Sequence, residues 1–265
     1  MGRIEGKFKD LKRRKQKAFI AFITAGDFGL STTKRLISIL DKCGVDIVEL
    51  GVPFSDPIAD GTTIQAASER ALKRKTTLSK IIRLVGSLRS SADIPIVFMS
   101  YFNPIFKYGL KRFISDCEKN GIDGVIVPDL PPDEADELIA ASRGKRFSTI
   151  FLLSPTSTKE RIKLVAKKSK GFIYYVSLTG ITGARERLPK ELLSQVRLVK
   201  RYTNKPVCVG FGVSRPIQVK QICKVADGVI VGSAIVKVIE RYAGNKNLFE
   251  NVHRYVKDLV EAARA

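Results

Sequence analysis

The stretch DIVELGV, residues 46–52, is the part of the 265-residue chain that indicates the fold most directly. It is apolar nearly throughout and carries a single inner carboxylate, Glu49. Strands of an antiparallel sheet commonly alternate apolar and polar residues, whereas a strand buried on both faces reads as an unbroken apolar run. The stretch therefore predicts a strand in a parallel sheet.

Seven further runs of the same kind flank this one along the chain. They occupy residues 18–24, 95–100, 124–128, 148–154, 172–177, 207–212 and 228–232. Segments with helical periodicity separate the runs, and the longest gap holds two of them, at roughly 63–73 and 77–90. Eight alternations of strand and helix predict an α/β fold, a single (β/α)8 TIM barrel with extra helices that spans residues 1–265. A final helix over 248–264 is expected to close it.

The composition excludes several classes of chemistry. Four cysteines lie at positions without C-x-x-C spacing, and the chain has one histidine, His253. Zinc sites and histidine-assisted nucleophiles are therefore disfavoured. Dinucleotide and Walker glycine motifs are absent from the sequence. We expect neither a metal nor a cofactor.

The chain is strongly basic, with 47 Lys and Arg against 26 Asp and Glu and a formal net charge of +21. Such a surplus indicates an anionic partner, which could be a nucleic acid, a membrane surface or a phosphorylated substrate. A basic motif interleaved with aromatic residues is not seen, so we expect no specific nucleic acid. The charged segment 1–17 and the short apolar run after it match no targeting segment or span. We expect a cytoplasmic protein without a membrane partner.

Glycine-rich segments follow the last three predicted strands. They are GITG at 180–183, GFG at 210–212 and Gly232-Ser233 at the start of a predicted helix. Glycine lets the backbone approach an anion closely, and a helix N-terminus offers free N–H groups. Each segment alone could be an ordinary turn. Together, at the carboxyl ends of barrel strands, they predict a phosphate site.

Two carboxylates are associated with the second predicted strand. A carboxylate such as Glu49 inside a buried strand is costly unless it has a partner or a task, and burial would suit it to proton transfer near neutrality. A structural glutamate with a buried partner is an equally good interpretation. Asp60, ten residues later in a Pro- and Asp-rich loop, is either a turn residue or a second carboxylate above the barrel mouth.

The loop after the second strand carries a specific resemblance. The run ELGVPFSDPIADGTTIQAAS, residues 49–68, is similar to that of the tryptophan synthase alpha subunit family. Further segments match in order along essentially the whole chain: FITAGD at 22–27, MSYFNPI at 99–105, VPDLPPDEADEL at 127–138, YYVSLTGITGAR at 174–185, GFGVS at 210–214 and GSAIVKVIE at 232–240.

The resemblance implies a lyase that cleaves indole-3-glycerol phosphate into indole and glyceraldehyde 3-phosphate by a retro-aldol reaction. It implies that Glu49 is the acid/base residue and that Asp60 faces the indole N–H. The substrate-binding positions that it implies are Phe22, Met99, Ile126, Tyr174, Thr182, Gly183, Phe211, Gly212, Ile230, Gly232 and Ser233. Two residues depart from the pattern: Leu178 stands where some members carry arginine, and Thr62 where proline is common.

The residues themselves agree with this chemistry. The predicted sixth and seventh strands hold no lysine for a Schiff base, so an aldol-type substrate would have to supply its own electron sink. Indole can do so once its C3 atom is protonated.

The resemblance also implies a tryptophan synthase beta subunit as partner, in an alpha-beta-beta-alpha tetramer. The positions matching the family's contact surface are Pro53, Phe54, Asp56, Ile58, Asn103, Phe106, Asp129 and Pro131. A free-standing lyase that releases indole is an alternative, as is a chain that mainly activates its beta partner. The intact motifs argue against a chain that mainly activates its partner. The sequence does not distinguish an alpha subunit that works with a beta subunit from a free-standing lyase.

Overall fold

A parallel sheet forms the centre of the protein in a computed structural model, which describes residues 1–177, 190–210 and 212–265. Within these ranges the sheet has nine strands. They are β1 Ala18–Thr24, β2 Ile47–Gly51, β3 Ile96–Met99, β4 Gly124–Ile126, β5 Ser148–Ile150, β6 Leu152–Leu153, β7 Ile173–Val176, β8 Val207–Gly210 and β9 Gly228–Val231.

The order of the strands makes the sheet a nearly closed barrel. It runs β5-β4-β3-β2-β1-β9-β8-β7-β6, and every pairing is parallel. The two strands at the ends of this order, β5 and β6, are separated in the chain by Phe151 alone. The fifth predicted run is thus one strand interrupted at a single residue, and the TIM-barrel prediction is confirmed.

Helices surround the barrel, and twelve lie in the described ranges. They are α1 Arg3–Arg13, α2 Leu30–Lys42, α3 Thr62–Lys73, α4 Leu78–Leu88, α5 Phe102–Tyr108, α6 Leu110–Lys119, α7 Asp136–Ser142, α8 Lys159–Lys168, α9 Lys190–Lys200, α10 Pro216–Cys223, α11 Ser233–Tyr242 and α12 Leu248–Arg264. The predicted pair in the long gap and the final helix are confirmed. The α5–α6 region is broken at Gly109, whose φ of 88° only glycine adopts readily.

Helix α1 was not expected, because residues 1–17 read as charged throughout. Its apolar residues Ile4, Phe8 and Leu11 nevertheless recur at helical spacing and are buried. They pack with barrel residues such as Ile20 and Phe172 in the inner cluster. The helix therefore closes the amino-terminal end of the barrel.

Side chains fill the inside of the barrel and leave only its carboxyl-terminal end for chemistry. The inner cluster comprises residues from nearly every strand, among them Ile47, Val97, Ile150 and Cys208. A second and larger cluster lies between the strands and the helices. With the amino-terminal end closed by α1, the loops after the strands surround the one mouth that this packing leaves open.

Candidate active site

Glu49 lies inside the barrel on β2. In the sheet register it stands between Phe22 of β1 and Val97 of β3. The residue is 1% exposed, and neither carboxylate oxygen has a hydrogen-bond partner among the described residues. Burial raises the pKa of Glu49 to about 8, and the charge of Asp60 adds to the rise. Such a carboxyl group can hold and release a proton near neutral pH.

Asp60 stands in the loop that joins β2 to α3. The loop turns back on itself, since the Asp60 N–H donates to the Pro57 carbonyl oxygen at 3.0 Å. The Gln65 side-chain amide donates to the Asp60 carbonyl oxygen at 2.8 Å. Burial raises the pKa of the half-buried Asp60 carboxyl to about 6, and a hydrogen bond from Tyr101 opposes the rise.

Tyr101 is a residue of the site that the sequence analysis missed. It follows β3, and its hydroxyl accepts a hydrogen bond from the Ala59 N–H at 2.8 Å while it faces the Asp60 carboxylate. Its ring lies 5.2 Å from that of Phe54. Tyr101 thus holds the loop that carries Asp60. Its place in MSYFNPI, directly after a strand, was the available signal.

A narrow cleft opens at the mouth beside these groups. Its wall combines apolar side chains with hydroxyls, and the Thr24 hydroxyl is buried without a partner among the described residues. The cleft is lined by Phe22, Thr24, Gly51, Val52, Asp60, Ile64, Ser68, Met99, Ser100, Tyr101 and Pro128. Two of the predicted substrate-binding residues, Phe22 and Met99, are therefore beside Asp60.

The structure also brings Ile126, Tyr174 and Ile230 together in the inner cluster with Met99. Burial, followed by the charge of Glu49, raises the pKa of Tyr174 well above its usual value, so its hydroxyl stays protonated. The neighbouring strand accommodates this ring through Gly210, where a Cβ atom would lie 2.6 Å from the Tyr174 hydroxyl oxygen.

Three of the residues predicted to bind phosphate, Gly212, Gly232 and Ser233, lie within the described ranges, at a turn or at the start of a helix. Helix α11 begins at Ser233, directly after Gly232. A Cβ atom at Gly232 would lie 3.2 Å from Phe22 Cβ, so the start of the helix adjoins the cleft wall. Gly212 has a φ of 74°, a conformation that favours glycine. Thr182, Gly183, Phe211 and Leu178 lie outside the described residues.

Within the described residues, no group of three or more His, Cys, Asp or Glu side chains is placed to hold a metal ion. No helix there is long and apolar enough to cross a membrane.

The site therefore joins a buried acid, a second carboxylate and an apolar cleft at the end of a barrel. Glu49 does not line the cleft in this structure but lies near enough to Asp60, which does, for the Asp60 charge to raise its pKa. A buried acid there has the chemistry for proton transfer, and Asp60 can stabilise a positive charge. Glycines and a helix N-terminus on the adjoining strands suit a phosphate.

Comparison with known proteins connects this arrangement to one family. The family model of the tryptophan synthase alpha chain matches residues 8–264. The chain is 49% identical over 265 residues to the tryptophan synthase alpha chain of Geotalea daltonii, and the match covers 100% of this chain and 98% of that protein. Such extensive matches show common descent over the whole barrel.

Solved structures agree with the sequence matches. The tryptophan synthase subunit alpha of Legionella pneumophila superposes with a TM-score of 0.92 at 35% identity, covering 99% of this chain and 98% of that one. A chain from the tryptophan synthase complex of Pyrococcus furiosus has a TM-score of 0.85 at 37% identity, covering 93% of this chain and 99% of that one. This chain belongs to the tryptophan synthase alpha chain family.

Proposed function

We propose that this chain, as a single barrel domain, cleaves indole-3-glycerol phosphate into indole and glyceraldehyde 3-phosphate. The observation that carries the proposal is Glu49, a fully buried carboxyl group without a hydrogen-bond partner among the described residues, which lies close enough to Asp60 to feel its charge. A buried acid left unpaired is costly to the fold, and its use in proton transfer accounts for that cost.

The proposed reaction begins with Glu49 as an acid. With a pKa of about 8 it holds its proton at pH 7 and donates it to C3 of the indole ring. The ring then carries a positive charge at N1. A carboxylate takes the proton of the glycerol hydroxyl next to C3, the carbon–carbon bond breaks, and its electron pair moves to N1. Indole and the aldehyde are released.

Asp60 is the proposed stabiliser of the ring charge. Its carboxyl has a lower pKa than Glu49, about 6, so at pH 7 it is mostly ionised while Glu49 is mostly protonated. A fixed, half-buried carboxylate beside the cleft interacts favourably with a charge that develops at N1. The two carboxyl groups thus have different roles because their surroundings separate their pKa values.

The remaining predicted positions supply binding in this proposal. Phe22, Met99, Ile126, Phe211 and Ile230 form an apolar pocket for the indole ring. Tyr174 matches the active-site tyrosine of the family. Gly183, Gly212, Gly232 and Ser233 hold the phosphate end of the substrate. Thr182, which matches the family's sixth-loop threonine, contacts Asp60.

An assay of indole release from indole-3-glycerol phosphate tests the proposal. We expect the purified chain to release indole and glyceraldehyde 3-phosphate in equal amounts. Absence of both products, alone and with a beta subunit added, would contradict it.

We further propose a beta subunit as the partner, in an alpha-beta-beta-alpha tetramer. Ile58 is 85% exposed and Phe106 is 62% exposed, and each lies on a segment that follows a strand at the mouth of the barrel. Ile58 lies on the same loop as Asp60, and Tyr101, which accepts from Ala59, immediately precedes the helix that contains Phe106. A partner on these residues would therefore contact the elements that hold the site.

Size-exclusion chromatography with a tryptophan synthase beta subunit tests this partner. We expect co-elution, which Phe106→Asp abolishes while indole release by the alpha chain alone is retained. Equal co-elution of the variant and of the unaltered chain would show that Phe106 is not part of the surface that contacts the beta subunit. No co-elution of the unaltered chain would favour the free-standing lyase.

A further inference from the structure

One end of the barrel carries a dense group of basic residues. Residues 1–17 contain eight lysines and arginines against two acidic residues. Helix α1 lies across the amino-terminal end of the barrel with its apolar face inward. Its basic side chains therefore point away from the barrel.

Turns that enter the strands extend this basic surface. The turn before β5 carries Arg143, Lys145 and Arg146, and a Cβ atom at Gly2 would lie 3.8 Å from the Arg146 carbonyl oxygen. Lys170, before β7, donates to the Lys145 carbonyl oxygen at 3.1 Å. These contacts join α1 and the two turns into one continuous surface, which we call the amino-terminal face.

Most acidic groups on the amino-terminal face are already neutralised. Asp123 pairs with Arg3 and Arg89, and Asp46 pairs with Arg264. Asp10, Glu118 and Asp227 have lysine or arginine partners as well. The exposed basic residues of the face that form no ion pair with a described carboxylate are Lys9, Lys12, Lys15, Arg143, Arg146, Lys167, Lys170, Arg201 and Lys224.

The described loops at the opposite end of the barrel carry few basic side chains. Where the structure describes the loops that follow the strands, they contain six carboxylates and a single basic side chain, Arg215. The carboxylates are Asp27, Asp56, Asp60, Asp129, Asp133 and Glu134. Two of them are already paired, Asp27 with Arg70 and Asp133 with Arg161. A polyanion would therefore be attracted more to the amino-terminal face than to the described rim of the cleft.

A groove at the edge of the amino-terminal face adds an aromatic ring to the lysines. It lies between α8 and the turn before β8 and is lined by Lys163, Ala166, Lys167, Tyr202, Thr203, Asn204 and Lys205. The Tyr202 ring is half-buried, and Lys163 Nζ lies 5.8 Å from its centre. Lys205 crosses the base of the groove and donates to the Ala166 carbonyl oxygen at 2.5 Å.

We propose that the amino-terminal face binds single-stranded nucleic acid without sequence preference. Its unpaired cations would contact phosphates, and the Tyr202 ring would stack on a base. A lipid surface fits less well, because the apolar side chains of α1 are buried and Met1 is the only large exposed apolar residue near this face among those the structure describes. The combination is not visible in the sequence because Lys163 and Tyr202 come from separate segments that the fold brings together.

Fluorescence anisotropy with a labelled 20-residue deoxythymidine strand tests the proposal. The test variant replaces Lys163, Lys167, Arg146 and Arg201 with Gln. The control variant removes the same number of exposed, unpaired charges from the outer helices by replacing Arg83, Lys111, Lys220 and Lys237 with Gln. Both variants keep the proposed active site, so indole release serves as the check of folding.

We expect the test variant to bind at least about tenfold more weakly at low salt, with a salt slope lower by roughly 3, the value for four lost phosphate contacts. The control variant should lose much less affinity for the strand. Undetectable binding by the unaltered chain at low salt, or equal losses in the two variants, would overturn the proposal.

The aromatic ring separates nucleic acid from a general polyanion. We expect Tyr202→Ala to weaken binding about fivefold or more, whereas Tyr202→Phe retains it, since the stacking face is kept. Vesicles containing anionic lipid should bind more weakly than the strand. Equal binding to vesicles, together with no effect of Tyr202→Ala, would assign the surface to anionic lipid instead.

Discussion

At the scale of single residues, Glu49 is held where its neutral form is favoured. Its pKa of about 8 lies above the ordinary value of 4.5, because burial removes water from the carboxylate. The folded state therefore binds a proton that the unfolded chain releases between these two values. Considering Glu49 alone, the free energy of unfolding is greatest below pH 4.5. The stability contributed by the protonated Glu49 is lost as the pH rises through about 8.

The pH dependence of the reaction follows from the two carboxyl groups. We expect kcat/KM for indole release to be bell-shaped, with its maximum near pH 7. Activity should fall below about pH 6 as Asp60 gains a proton, and above about pH 8 as Glu49 loses one. Steady-state assays between pH 5 and 9.5 measure this. A profile that is flat across the range would contradict the assigned roles.

Asp60→Asn separates charge from shape at the same position. The amide can replace the oxygen that faces Tyr101 but cannot stabilise a cation, so we expect kcat to fall by about 100-fold or more. A change in KM alone would instead make Asp60 a binding residue. Tyr101→Phe is a useful companion, because it removes the hydroxyl to which the Ala59 N–H donates and keeps the ring.

Glu49 stands out in the sequence because it is a carboxylate in an apolar strand. Asp60 lies in a Pro- and Asp-rich loop where a turn residue is as good an interpretation, so its predicted role comes from the resemblance. Tyr101 and Thr24 carry no such anomaly, since a tyrosine or threonine at a strand end is ordinary. Only the folded loop shows that the Tyr101 hydroxyl meets the Ala59 N–H.

At the scale of elements, helix α1 shows where sequence patterning failed. Its many charges conceal three apolar residues at the spacing of one helix face, and that face is buried only because the barrel end receives it. The fifth strand is interrupted at Phe151, and the α5–α6 region is interrupted at Gly109, where the backbone has a positive φ. Strands β1 and β2 and helix α12 were predictable because their apolar patterns are long and regular.

Phe8→Ala tests how much α1 contributes. The ring is buried and lies 5.8 Å from that of Phe172, so we expect a loss of about 3 kcal/mol in the free energy of unfolding. Urea denaturation measures the change. Lys9→Ala, at an exposed position one residue further on, is the control and should change stability by less than about 0.5 kcal/mol. Equal effects would mean that the apolar face of α1 does not stabilise the barrel.

Gly232→Ala tests the start of α11 as a phosphate site. The added methyl group would lie 3.2 Å from Phe22 Cβ and between the helix N-terminus and the cleft, so we expect glycerol phosphate to bind about tenfold more weakly. Calorimetric titration measures the affinity. Gly6→Ala, in α1 and remote from the cleft, should leave it unchanged; unaltered affinity in both variants would remove Gly232 from the phosphate site.

At the scale of the whole molecule, the barrel separates two kinds of surface. The described loops at the carboxyl-terminal mouth carry the proposed active site and mostly acidic groups, while the amino-terminal face carries a large share of the basic residues. Eight regularly spaced apolar runs made the barrel itself predictable. The separation of charge was not, because it arises from turns that are far apart in the chain and adjacent only in the fold.

The most direct test of the central claim is the rate of indole release by Glu49→Gln. Glutamine keeps the shape of the buried side chain but cannot exchange the proton, so we predict that kcat falls by a factor of about 100 to 10,000 or more. Binding of glycerol phosphate should be retained, and the variant should be at least as stable as the unaltered chain at pH 8, where the buried carboxylate is costly. A folded Glu49→Gln protein that releases indole within tenfold of the unaltered rate would contradict the account.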